Sequence, residues 1–456
     1  MIQLAHGIVA RSDLPIPEWL FGWAAAMVLV VSFVALAVLW PEPKLQEDSW
    51  RPLPGGLGRA LASRPVEVLC GVIGVLLLGA VIYTGLKGTQ SSTANFAPSF
   101  VYVIFWLGLV PLSVLFGDVF RAFNPWRASG RAVAFVARLA ARGELPAPLA
   151  YPERLGRWPV VAGILAFAAL ELVASNGDRP ENVAIAALAY SALTFVAMAL
   201  YGVEAWIARG EAFSVYFNLF ARMSPFGGRD GEVGLRRPLS GLPALEMLPG
   251  TVALLAVMIG SVTFDGASEA PIWTGIAPDI ARFFGDLGLS PQTSLEATFA
   301  TGLAAAILII YALYRLGVAG ARSVGGGFST QRLGNEFVHA LVPIALAYVA
   351  AHYFTLLLFQ GQALAFLASD PLGDGSDILG TADQTIDYGL IGANGTWYWQ
   401  VGFVVAGHVA ALTLAHDRAL AIYDDAKLAV RSQYWMLAVM VGFTSLALWL
   451  LSQSNA

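Results

Sequence analysis

The chain has 456 residues, of which 57% are hydrophobic and 12% charged, about half the charged fraction of an average soluble domain. A formal net charge of -5 provides no basic surface for a nucleic acid. The single cysteine, Cys70, excludes an internal disulfide framework and paired-cysteine metal or redox chemistry.

Crossing a hydrocarbon core takes about 20 apolar residues, and runs of that length recur from end to end. They predict an all-α, polytopic transmembrane bundle of ten spanning helices forming one membrane domain. The spans fall near 18–40, 65–86, 96–116, 157–176, 183–206, 247–265, 295–318, 334–360, 397–417 and 433–452. The first follows a segment with Arg11, Pro15 and Pro17 and is long enough to span, so it reads as a retained helix and not a cleaved signal. Cys70, in the second, reads as a small packing residue. Two segments, 127–143 and 209–224, mix arginines with Phe135, Phe213, Tyr216, Phe217 and Phe220. Both are expected as amphipathic helices on the inner membrane surface. Gly325-Gly326-Gly327 reads as a flexible loop. Trp397, Tyr398 and Trp399 place the start of the ninth span at the headgroups.

Orientation follows from the basic residues. Loops after the first, third, fifth, seventh and ninth spans carry 22 of the 26 lysines and arginines, and the opposite side has only Arg11, Lys87, Arg179 and Arg282. Positive charge is retained inside, so both termini are expected on the outer side of a cytoplasmic membrane. The outward segment 361–396 instead carries Asp370, Asp374, Asp377, Asp383 and Asp387 and no basic residue. It reads as a solvated acidic loop or as a rim that gathers cations.

Ionisable side chains inside spanning helices are costly unless paired, which singles out the histidines. His339 and His352 share the eighth span, His408 and His416 share the ninth, and His6 precedes the first. Helices joined by one loop often pack together. His352 and His408 are therefore expected to approach in the outer half, and His339 and His416 in the inner half beside Asp417. Glu171 near the outer end of the fourth span and Asp265 at the end of the sixth lie at the outer level, with Gln400. Imidazole with carboxylate suits a divalent transition metal such as Zn, Cu or Fe. His352, His408 and His6 are the candidate ligands, and Asp265 or Glu171 the catalytic base or further ligand; such an ion activates water. The plainer reading gives each histidine one interhelical hydrogen bond.

Haem fits less well. His339 and His352 are thirteen residues apart but His408 and His416 only eight, a rise of about 20 Å against about 12 Å. One haem between His352 and His408 stays open. At the inner boundary Asp118, Arg121, Asn124, Glu204, Glu211, His416 and Asp417 read as ion pairs and snorkelling groups, with His339, His416 and Asp417 as secondary site candidates.

Several stretches carry a family resemblance. They are Ala5-His6-Gly7, Asp13-Leu14-Pro15-Ile16-Pro17, Gly117-Asp118-Val119-Phe120-Arg121, Asn124-Pro125-Trp126, the run Arg209 to Phe217, Phe264-Asp265-Gly266, His339 to Pro343, Ala351 to Phe354, Gly407-His408-Val409 and Ala415 to Leu420. On these the chain resembles a bacterial family of multi-pass membrane proteins often labelled fenitrothion hydrolase. The resemblance implies hydrolysis of a phosphorothioate triester to a phenol and a dialkyl thiophosphate, and implies no particular catalytic residue. The dense His/Asp motifs of soluble organophosphate hydrolases are absent from the sequence.

Four functions stay open on sequence. One is a metal-assisted organophosphate hydrolase with a periplasm-facing site. Another is a transporter or metal-handling protein that uses the same histidines as a passage. The others are a haem-bearing redox subunit and a structural partner in a membrane complex.

Overall fold

Backbone in hydrocarbon must satisfy its own polar groups, so each long apolar run has the helix as its local solution. The structure is a computed structural model that describes residues 18–46, 49–141 and 146–453. It is 72% helical, the all-α bundle expected. Numbering the principal helices in chain order, eight are long and apolar enough to cross a membrane: α1 (Glu18–Leu39), α2 (Arg64–Lys87), α3 (Phe96–Phe116), α6 (Pro180–Tyr201), α8 (Thr251–Ser268), α10 (Pro291–Ser323), α11 (Thr330–His352) and α12 (Ala393–Ile422). The others are α4 (Pro125–Ala140), α5 (Trp158–Leu172), α7 (Ala212–Ala221), α9 (Pro271–Asp286) and α13 (Tyr434–Gln453). At 15 residues α5 rises only about 22 Å, shorter than the span expected there. The apolar α13 packs along α1, α10 and α12.

Burial separates the helices into two groups. The most apolar windows of α8 and α11 are 67% and 72% buried, whereas those of α1 and α2 are 17% buried. The first pair forms the centre of the bundle and the second pair its apolar perimeter. Where α12 crosses α11, Gly407 permits the close approach: a Cβ there would lie 2.4 Å from Ala347 Cβ and 2.6 Å from the Pro343 carbonyl oxygen. Proline also shapes α11. Pro343 lacks an N–H and its ring crowds the carbonyl four residues back, and the helix tightens to a 3-10 turn over Val338–Ala340.

The sequence pattern missed several elements. The segment expected as a second surface helix, 209–224, instead holds α7, whose residues are all buried except Asn218. Its aromatics are not laid on lipid headgroups. Phe213 and Phe217 pack on Phe105, and Tyr216 stacks on Trp106 at 4.3 Å. Such pairs add about 0.5–1.5 kcal/mol each beyond burial. By contrast the 127–143 segment is helical as α4, with Val133, Val136 and Leu139 exposed along it. The 183–206 span stops at Gly202, whose φ of 84° ends α6 before a short helix Val203–Arg209. The middle of α3, Phe100–Gly108, is a π-helix, a rare geometry that occurs often at functional sites.

Two elements were not anticipated. At one end of the bundle α9 lies between α8 and α10. At the other, a small antiparallel sheet pairs β1 (Arg51–Pro52) and β2 (Phe226–Arg229) on either side of β3 (Glu232–Leu235). Asp230 and Gly231 turn the hairpin with φ of 52° and 76°, the positive values a tight Asp-Gly turn requires. Opposite the sheet, Thr89 N donates to Leu372 O at 2.8 Å and Phe96 N to Pro371 O at 3.2 Å. These bonds tie the loop before α3 to the acidic segment, and the acid-rich end of the bundle is thereby distinct from the arginine-rich end.

Candidate functional site

Asp265 lies one turn before the end of α8, in the buried centre, with 2% of its surface exposed. Its Oδ2 accepts from His352 Nε2 at 2.9 Å and from Tyr353 Oη at 2.7 Å. A carboxylate oxygen accepts only, so the imidazole proton sits on Nε2. The sequence positions these donors by ending α11 at His352: Tyr353 leaves helical geometry, with φ −95° and ψ 10°, before the next short helix Phe354–Gln360. Two consecutive side chains on one break thus converge on one carboxylate. Expected near His408, His352 is instead the partner of Asp265.

Beside this node is a cavity of about 200 Å³. Tyr102 and Val103 of the π-helical segment line it, as do Glu171 and Leu172 at the end of α5, Phe299 of α10 and Leu356. The Tyr102 hydroxyl donates to Gly177 O at 2.8 Å, holding the turn after α5 against α3. Glu171 makes no hydrogen bond or ion pair with any described residue, and Asp265 lies close enough to act on it electrostatically. Asp178 stands on the same wall. Of the sequence candidates, the structure therefore gathers Asp265, His352 and Glu171. Sequence reasoning missed Tyr353 and Tyr102. Tyr353 is adjacent to a candidate histidine, but nothing local marks its hydroxyl as a donor to a residue 88 positions away.

His408 is not part of this group. Its Nδ1 donates to the Val404 carbonyl of its own helix at 2.7 Å, and its ring lies 6.5 Å from that of Tyr348. Among the described residues, His408 Nε2 and Tyr348 Oη are both buried without a hydrogen-bond partner. His352 and His408 share no hydrogen bond or ring contact among the described residues. No group of three or more His, Cys, Asp or Glu side chains in those residues converges as metal ligands do. His6, the third candidate ligand, lies outside the described residues. Gln400, placed at the outer level, donates to Ala351 O at 2.9 Å and ties α12 to α11.

The inner candidates also separate. His339 is buried and its Nε2 has no partner among the described residues. His416 Nε2 reaches the Trp40 carbonyl at 3.1 Å, and Nδ1 faces Gln433 Nε2 at 3.3 Å. The neighbouring Asp417, fully buried, accepts from Trp40 Nε1 at 3.0 Å, Gln46 Nε2 at 2.8 Å and the Lys44 and Leu45 amides. It holds the turn that follows α1. Glu211 plays a like part for α7, accepting from Phe213 N, Ser214 N, Asn124 Nδ2 and the Tyr190 hydroxyl. Arg127 bridges Glu67 at 2.6 Å and Glu204 at 3.0 Å. Arg127 with Glu204 forms the ion pair expected at this boundary, whereas Asp417 and Glu211 are held by neutral donors and fix a turn and a helix start.

What the arrangement can do follows from its parts. A carboxylate orients an imidazole, a second carboxylate faces a cavity, and further imidazoles stand deeper along α11 and α12. No family model, curated protein or solved structure matches the chain.

Proposed function

We propose that the chain is a proton-coupled transporter of a cytoplasmic membrane, with ten spanning helices and both termini outside. The observation that carries this reading is that buried polar groups recur at successive depths on α11 and α12, with Asp265 of α8 at one end. Asp265, His352 and Tyr353 stand at the acid-rich end, and Tyr348 with His408 about a turn deeper. His339 and then His416 lie nearer the arginine-rich end. From His352 to His339 the rise is about 20 Å, roughly two thirds of a hydrocarbon core of about 30 Å. Intramembrane ionisable groups are costly and mark ion pathways and proton relays. Imidazole suits a relay because one ring nitrogen takes a proton while the other releases one. His408 is set for this: the Val404 carbonyl holds the proton on Nδ1, which leaves Nε2 as a bare acceptor.

The test is proton uptake into proteoliposomes that contain a pH-sensitive dye, under an imposed gradient. Wild-type protein is expected to take up protons, and His408→Phe and Tyr348→Phe each to slow uptake by about tenfold or more, a barrier increase of about 1.4 kcal/mol. Size-exclusion profiles serve as the folding control. Uptake equal to wild type in His408→Phe, or wild-type uptake equal to that of empty vesicles, overturns the reading.

A second reading rests on one feature, the His352 imidazole that Asp265 orients, near a largely apolar cavity although not on its wall. A carboxylate-oriented imidazole is a general-base arrangement, and a neutral phosphorothioate triester suits apolar walls. This reading agrees with the family resemblance. Purified protein would then release the phenol from a dialkyl aryl phosphorothioate, and His352→Gln would abolish release. Unchanged release in that variant removes the reading.

A further inference from the structure

We propose that the cavity beside Glu171 binds a small organic monocation, an amine with a compact apolar body, as the substrate of the transporter inferred above. The substrate's identity as cargo rests on that reading; its binding does not. Three features of the cavity converge on this chemistry. Its wall has two carboxylates, Glu171 and Asp178, and no lysine, arginine or histidine. An anionic ligand such as a phosphate or carboxylate would find no compensating cation there. The rest is mainly apolar, with Val103, Leu172, Leu295, Phe299 and Leu356, a surface that favours a hydrocarbon body over a hydrated inorganic ion. Phe299 adds an aromatic ring of the kind that attracts ammonium groups.

Glu171 supplies the anchoring charge. It is half-buried and lines the cavity, yet it has neither a hydrogen-bond donor nor a cation among the described residues. A carboxylate removed from water without such a partner is unfavourable, and an ammonium group in the cavity would provide both the charge and the donors. Asp265 behind it is already committed to His352 and Tyr353, which leaves Glu171 as the group open to a ligand. At about 200 Å³ the cavity has room for a single-ring amine. Proton and ammonium would compete for one carboxylate, and this competition couples the amine to the relay.

The experiment is calorimetric titration of the full-length protein in detergent at pH 7. The probes are phenethylamine, cationic at that pH, and 2-phenylethanol, its neutral analogue of similar shape. Phenethylamine is expected to bind at least about tenfold more tightly than the alcohol. Glu171→Gln should remove that preference, while Glu171→Asp, which keeps the charge, should retain most of it. Phe299→Leu should weaken the amine without abolishing its preference over the alcohol. Equal affinity for amine and alcohol, an unchanged preference in Glu171→Gln, or no amine binding to wild type overturns the proposal. So does tight binding of a neutral phosphorothioate triester that is indifferent to Glu171→Gln, a result that favours the hydrolase instead. Binding with no proton uptake in vesicles removes the transport reading and leaves the cavity assignment standing. Uptake with no amine binding does the reverse.

Discussion

Replacing Asp265 by Asn keeps the shape of the central node and removes its charge, so the consequence can be worked from two bonds. Tyr353 Oη and His352 Nε2 both donate to the same carboxylate oxygen, at 2.7 and 2.9 Å, and all three residues are buried. Hydrogen bonds to charged groups contribute about 1.5–3 kcal/mol net and neutral ones about 0.5–1.5. Converting both bonds from charged to neutral should therefore cost about 2–3 kcal/mol. Tyr353→Phe deletes one charged bond in the wild-type background, about 1.5–3 kcal/mol, but only a neutral one in the Asp265→Asn background. The double variant should then be more stable than additivity predicts by about 1 kcal/mol. The assay is reversible unfolding in mixed micelles titrated with denaturing detergent, followed by tryptophan fluorescence for all four members of the cycle. If Tyr353→Phe costs the same in both backgrounds to within about 0.3 kcal/mol, the shared carboxylate does not organise the node and the argument for it fails.

Three further outcomes follow from the geometry. Gly407→Val should separate α11 from α12, because its Cβ would fall inside contact distance of Ala347 Cβ and Pro343 O. Helix-pair crosslinking across this seam should drop, and a wild-type crosslinking yield would contradict the close approach. Asp417→Ala should leave the Lys44 and Leu45 amides without their acceptor, so their hydrogen exchange should accelerate while exchange in α3 stays unchanged. Finally, the Ser369 hydroxyl and then the Ala382 amide hold the Asp377 carboxyl below its usual value of 3.8. A carboxyl depressed in the folded state stabilises above its unfolded pKa and ceases to do so as the pH falls through the folded one. Protease resistance of the 369–382 segment should accordingly persist at pH 5 and weaken only below about 3.8, and loss near pH 6 would refute the assignment.

The difference between legible and illegible features follows the range of the interactions involved. The Asp230-Gly231 turn has a local sequence signal that marks the hairpin, since few other pairs adopt two positive φ values; apolar run length is blind to it. The burial of α7 had no such signal. Arginines flanking Phe213, Tyr216 and Phe217 look the same whether those rings meet headgroups or Phe105 and Trp106. The π-helical segment Phe100–Gly108 is equally silent, because its sequence is an ordinary apolar run with nothing local to mark a widened turn.

Apolar run length settled that this chain is a multi-helix protein suited to lipid, since hydrocarbon leaves the backbone no other local way to satisfy its polar groups. The candidate residues His352, Asp265 and Glu171 were also visible as ionisable groups in apolar surroundings. Their partnership was not. His352 was expected beside His408, its neighbour through one loop, yet it bonds Asp265 across 87 residues, while His408 bonds the carbonyl four residues back. A polar group's need for a partner is written into its own chemistry, whereas the partner it finds depends on the rotation and crossing of whole helices, which many distant contacts decide together.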